Sequence, residues 1–226
     1  MSQQYIRTIL SEDDLKIIHS LLPKLEWEDG LLSLEGGDDE YRKELKRNIV
    51  AAKRSSITKA ISEIIVNNLN KDTRFLNHTM ALHTEEPMIV KMSVGSWYRA
   101  HQDCHTNGDY STTLFLSEPD TYKGGELHLI DASLEVYHKL PAGDAVTYST
   151  GTTHEVKEVT EGERIAAVFW TQSHIKDNNI RSILTDIRNA QLMLEEKAFD
   201  DIKDAEQDPR FLLNKAVMQM MRIYSI

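Results

Sequence analysis

The chain has a single cysteine, Cys104, so no intrachain disulfide can form and no disulfide framework supports the fold. That scarcity suits a reducing compartment, and a cytoplasmic protein is expected. No apolar stretch follows a basic one in residues 1–14, so no secretory signal is expected. The longest uninterrupted apolar runs are about six residues, as at 165–170, against the roughly 20 that a membrane-spanning helix needs. Cations are outnumbered, 26 Lys and Arg against 36 Asp and Glu, for a formal net charge of -10. A duplex nucleic-acid partner wants a basic face, and this balance argues against one. Repeats, low-complexity tracts and linkers are missing too, so one domain over residues 1–226 is expected.

What is present changes periodicity along the chain. Residues 1–10 read as a leading strand, and Ser11 as the N-cap of a helix that Pro23 stops near Leu22. Residues 26–48 read as a solvated surface excursion around Gly36-Gly37. Ile57, Ile61, Ile64, Ile65 and Leu69 then recur at helical spacing after Ser55 or Ser56. From about residue 87 the period becomes two, with strands expected at 87–94, 110–117, 125–130, 134–139, 144–149, 154–160 and 163–172. Apolar stripes at Ile180, Ile183, Leu184, Ile187 and Leu194, and at Leu213, Val217, Met220, Met221 and Tyr224, return to helix. The fold class is α+β. Supporting elements occupy 1–86, a β-sandwich or barrel core 87–175, and C-terminal helices 176–226.

One stretch concentrates chemistry. His101 and Asp103 stand two apart, which on an extended strand puts imidazole and carboxylate on one face. His154, 51 residues after Asp103, is the candidate third ligand. Two imidazoles and one carboxylate on one side of an ion leave its other side open, the facial arrangement of non-haem Fe(II) oxygenases. His105 reads as a loop residue, Cys104 as a bystander, and Gly124-Gly125 as a tight turn.

The ordered set Gly95-x-x-Tyr98-x-x-His101-x-Asp103, His154 and Arg164 resembles the prolyl-4-hydroxylase-like Fe(II)/2-oxoglutarate dioxygenases, and within them the PKHD-type hydroxylases. Trp27-Glu28-Asp29-Gly30, Tyr122-Lys123-Gly124-Gly125-Glu126-Leu127 and Phe169-Trp170-Thr171-Gln172-Ser173 carry the same likeness. The resemblance implies a double-stranded β-helix, or jelly roll. It also implies Fe(II) on His101, Asp103 and His154, with 2-oxoglutarate and O2 as co-substrates and L-ascorbate as an optional accessory. Arg164 would take the distal carboxylate of 2-oxoglutarate, Tyr98 would hydrogen-bond it, and Trp170 would wall the pocket. One departure stands out: in Lys46-Arg47-Asn48, Arg occupies a place where the family carries Asn.

The expected activity is hydroxylation of a peptidyl prolyl or other amino-acid side chain, or of a small molecule. A nucleic-acid demethylase of similar fold is the enzymatic alternative, disfavoured by the acidic balance. A catalytically silent metal-binding module is the other. Counting back from Arg164 through a turn at Glu161-Gly162 puts His154 and Arg164 on adjacent antiparallel strands. Alternation then requires an irregularity between Thr160 and Arg164 if both are to face one pocket.

Overall fold

The computed structural model describes residues 4–33, 38–104, 108–131, 134–195 and 208–225. Gly36-Gly37 and His105 lie outside the described residues. Ahead of the main strands come β1 (Tyr5–Thr8), α1 (Glu12–Leu21), β2 (Trp27–Asp29), α2 (Asp39–Leu45), β3 (Lys46–Arg47), β4 (Ile49–Ala51), α3 (Ser56–Lys71), α4 (Thr73–Thr79) and β5 (Ala81–Thr84). The strand-rich part holds β6 (Met88–Ser93), β7 (Trp97–His101), β8 (Tyr110–Phe115), β9 (Tyr122–Gly124), β10 (Leu127–Asp131), β11 (Leu134–His138), β12 (Asp144–Ser149), β13 (Thr153–Val156) and β14 (Val159–Ser173). Helices α5 (Asn178–Glu195) and α6 (Pro209–Tyr224) close the order.

Helix signals read locally hold. Ser11 caps α1 in a reciprocal capping box with Asp14, and Pro23 sits in a 3-10 turn that ends the helix. Ser55 accepts from the Ile57 backbone at the start of α3, whose Ile61, Ile65 and Leu69 are buried.

Contacts divide the chain into two compact units, residues 1–72 with 84–171, and 73–83 with 172–226. In the first, one antiparallel sheet runs in the order β1-β12-β8-β14-β6-β4-β2, and a second in the order β11-β10-β13-β7-β3. The sheets share a core. Phe115, Val146 and Tyr148 of the larger pack with Leu127 and Leu129 of the smaller, and Val156 fills in beside them. Each such large side chain removed from water contributes roughly 1.5–3 kcal/mol. In the second unit, Met80, Ile175, Leu184 and Val217 make a separate core, and Met220 and Met221 pack against it. The methionine-rich stripe is therefore packing.

Two expectations are corrected. Residues 26–48 hold more structure than a loop: β2 joins the larger sheet through β4, α2 and β3 follow, and Lys46 and Asn48 are buried, while most of the stretch's described side chains are exposed. Strands of two or three residues are too short to show a period in sequence. Nor is there a hairpin at Glu161-Gly162. Strand β13 ends at Val156 and belongs to the smaller sheet, whereas β14 starts at Val159 and lies between β8 and β6 in the larger. The chain changes sheets at Lys157-Glu158, so alternation cannot be counted from His154 to Arg164. A register shift does occur between Val159 and Glu161, but against β9. Gly162 sits within β14 at φ 72, where an added Cβ would collide with the Thr121 carbonyl oxygen.

In the second unit, His78 is buried, and burial first, then the charge of Arg181, lower its imidazole to about 4 from the usual 6.5. The unfolded chain therefore binds a proton that the folded chain refuses between those values. Stability is full above pH 6.5 and is lost as pH falls toward 4. The loss should total about 3 kcal/mol. Thermal midpoints of wild type and His78→Gln at pH 7 and pH 5 check this, the wild type falling more steeply; equal slopes would contradict it.

Candidate metal centre

His101 ends β7, and His154 lies opposite it on β13 as a register partner. Asp103 stands two residues past His101, beyond the strand end, so the pair is not held by strand alternation alone. Asp103 Oδ1 is 3.6 Å from His101 Nε2, and Oδ2 is 3.8 Å from His154 Nε2. One ligand atom from each residue lies within 4.8 Å of the others, the sole such group among the described residues.

Backbone carbonyls set both imidazole tautomers. His101 Nδ1 is 2.8 Å from Arg99 O, and His154 Nδ1 is 2.9 Å from Thr152 O. A carbonyl only accepts, so each Nδ1 carries the proton and each Nε2 lone pair faces the shared point. His101 Nε2 is buried without a hydrogen-bond partner. Burial, the largest influence, keeps His154 below its ordinary range and so neutral, as a ligand must be.

The larger sheet reaches across to hold the carboxylate. Ser111 Oγ on β8 donates to Asp103 Oδ2 at 2.6 Å, and Trp170 Nε1 on β14 donates to the same oxygen at 2.9 Å. Two donors on one oxygen fix the carboxylate's rotation and leave Oδ1 toward His101. Burial opposes ionisation of Asp103, but its donors, the Ser111 hydroxyl and the Trp170 N–H among them, hold the carboxyl below its ordinary range. Cys104 is exposed. Donor chemistry, tautomers and the orphaned Nε2 all fit a divalent metal.

Tyr98 stacks on His101, ring centroids 3.7 Å apart and planes 16° apart. Burial raises its phenol well above the ordinary range, so it remains an O–H donor. Trp170 enters the site through Asp103 rather than only as a wall. Arg164, on β14 of the larger sheet, is 2% exposed. Its guanidinium lies 5.3 Å from the Phe115 ring centroid, and Nη1 approaches Met92 Sδ at 3.9 Å. Among the described residues no carboxylate lies within ion-pair distance of it, and its Nε has no hydrogen-bond partner. Tyr122, Tyr148 and Glu126 offset only part of the cost of burial, and a buried guanidinium without an ion-pair partner fits an anionic ligand. Tyr148, fully buried, sets its ring 5.1 Å from His154, edge on, and feels the charges of both Asp103 and Arg164.

Residues 87–172 match the family model described as the 2OG-Fe(II) oxygenase superfamily. A PKHD-type hydroxylase of Nitrobacter winogradskyi is 33% identical over 196 residues, covering 82% of this chain and 85% of that protein. The chain belongs to this family. A PKHD-type hydroxylase of Paraburkholderia xenovorans is 30% identical, over 87% of this chain and 90% of its own length. Among solved structures, a Pseudomonas putida prolyl-4-hydroxylase aligns at TM-score 0.54 and 16% identity, over 76% of this chain and 94% of that one. A Trichoplax adhaerens prolyl hydroxylase, solved with a hypoxia inducible factor peptide fragment, also aligns at 0.54 and 16%, over 80% and 86%. At those identities the likeness is one of fold.

Ser111 and Tyr148 escaped notice as site residues in the sequence. A signal for Ser111 was the run of four hydroxyl residues, Tyr110 to Thr113, in a strand whose six residues are all buried, since buried hydroxyls need partners. Within this PKHD-type site, Trp170→Phe keeps the ring and removes the donor. Loss of an outer hydrogen bond to a ligand typically lowers metal affinity about 10–100-fold. Calorimetric titration with Mn(II) should show a loss in that range with an unchanged circular dichroism spectrum; wild-type affinity would separate Trp170 from the metal.

Proposed function

We propose that this member of the PKHD-type hydroxylases is an Fe(II)- and 2-oxoglutarate-dependent dioxygenase built on a double-stranded β-helix. It hydroxylates an amino-acid side chain, peptidyl or free, and releases succinate and CO2. The observation that carries this reading is the convergence of His101, Asp103 and His154 within 4.8 Å, with both imidazole protons held on the far side. When bound, iron supplies, with O2 and the decarboxylation of 2-oxoglutarate, the oxidising power for C–H hydroxylation.

The chain's own residues do the positioning. His101, Asp103 and His154 hold the metal from one side and leave the opposite positions to co-substrates. Arg164 takes the distal carboxylate of 2-oxoglutarate, where its planar fork can donate two parallel hydrogen bonds away from water. Tyr98 and Trp170 border the co-substrate, the first as a protonated phenol and the second through Asp103. No helix among the described residues is long and apolar enough to cross a membrane; a cytoplasmic setting rests on the cysteine scarcity alone. The test is succinate release with Fe(II), 2-oxoglutarate and O2, screened over peptides and amino acids with and without ascorbate. Metal binding without succinate from any mixture would sink the dioxygenase and leave a silent metal-binding module.

A further inference from the structure

Lys46 is a second buried cation in this site. It lies on β3, opposite Tyr98 on β7, which in turn pairs with Val156 on β13. Residues directly opposite one another share a face of a sheet, and Val156 packs into the core between the sheets. The row Lys46, Tyr98, Val156 therefore faces inward. Lys46 is 4% exposed, and its Nζ sits 4.7 Å from the centroid of the Tyr98 ring. Tyr98 stacks on the metal-ligand candidate His101 at 3.7 Å, so the ammonium is no further from His101 than those two steps together.

Its polar contact is with one neutral group, the Ser33 hydroxyl at 2.8 Å. Among the described residues no carboxylate reaches ion-pair distance. A buried ammonium with three donors, one hydroxyl and one aromatic face is poorly compensated. Burial draws it down to about 8 while Asp103 and Asp29 pull the other way, so it stays mostly protonated at neutral pH. A lysine that served packing alone would be more cheaply replaced by an apolar residue.

Charge matching says what it waits for. In the site as proposed, the two charges of Fe(II) and the one of Arg164 are balanced by Asp103 and the two carboxylates of 2-oxoglutarate. Lys46 is left over. Outside it, Arg47 and Arg99 place their guanidinium carbons 5.7 and 5.9 Å from the Trp97 ring centroid. Both are exposed, and neither has a carboxylate within ion-pair distance among the described residues. In a chain of net charge -10, these two guanidiniums add local positive charge at β7, beside Lys157 but also Glu155 and Glu158.

We infer that Lys46 binds a carboxylate of the primary substrate, so that the hydroxylated compound is anionic: a free amino acid or an acidic peptide. The inference rests on the dioxygenase reading above. Matched probes separate the sources. N-acetyl amino acids are compared with their primary amides, and short capped peptides carrying Asp are compared with the same peptides carrying Asn. The proteins are wild type, Lys46→Met and Lys46→Arg.

Wild type should favour the carboxylate member of one set by tenfold or more in kcat/KM. Lys46→Met should lose that preference and Lys46→Arg should keep part of it. Calorimetry on the Mn(II)-loaded protein should show the same preference in binding. Equal use of acid and amide by wild type, or a preference that survives Lys46→Met, overturns the inference. So does a raised 2-oxoglutarate requirement in Lys46→Met, which would assign Lys46 to the co-substrate. If wild type makes no succinate at all, the dioxygenase reading fails, and carboxylate binding by calorimetry still decides the role of Lys46.

Discussion

Asp103→Ala is expected to abolish succinate formation and to lower affinity for divalent metal by at least about a hundredfold, since loss of an outer-shell partner alone costs about 10–100-fold. Three effects coincide. The anionic ligand disappears, the two imidazoles lose the charge that favours a dication between them, and two donors built for one oxygen are left over. Ser111 Oγ and Trp170 Nε1 both point at Asp103 Oδ2, and a buried donor without a partner costs roughly 1–3 kcal/mol. Removal of a carboxylate ionised against the pull of burial offsets part of this. The variant should therefore stay folded, with a modest shift in thermal midpoint, while it loses its metal. Equilibrium dialysis with metal analysis gives the affinity, and coupled succinate detection the activity. One tightly bound equivalent of metal in Asp103→Ala would remove the carboxylate from the ligand set.

Arg164→Ala is expected to raise the 2-oxoglutarate requirement tenfold or more with metal affinity nearly intact. Arg164 is buried on a different sheet from the two imidazoles, so its loss does not touch the ligand atoms. Truncating one partner of a desolvated charge pair costs about 2–5 kcal/mol. Part of any stability change is packing, because the side chain lies against Phe115 and Met92. Arg164→Lys separates the two contributions: it keeps the charge and most of the stem but loses the fork, so its requirement should fall between wild type and alanine. Succinate release against 2-oxoglutarate concentration measures all three, and an unchanged curve for Arg164→Ala would place the co-substrate elsewhere.

The convergence of His101, Asp103 and His154 was legible because its signal is chemical and partly local. His101-x-Asp103 is a spacing, and His154 followed from the need for a third donor. Capping by Ser11 and the buried stripe of α3 were equally local. The path from His154 to Arg164 was misread because alternation holds only within one sheet. Nothing in Lys157-Glu158 announces that the chain leaves one layer for the other. The ties from Ser111 and Trp170 to Asp103 span 8 and 67 residues and exist only once β8 and β14 pair. Lys46 was hidden for another reason. A lysine after an acidic, glycine-bearing stretch reads as solvent-facing, and only the pairing of β3 with β7 turns it inward.

The division of the site between two layers bears on how the fold responds to its ligands. His101 and His154 come from the smaller sheet, Arg164 from the larger, and the Asp103 carboxylate is already roped to β8 and β14. On the proposed reading, a co-substrate anchored to the metal at one end and to Arg164 at the other would act as a rivet through the sandwich. Its binding energy then adds to the cohesion of the layers through mass action. The metal alone grips only one layer and, through Asp103, the lashings of the second. Mechanical strength and catalytic readiness would thus rise together, and the sandwich would be most firmly closed when its co-substrate is in place.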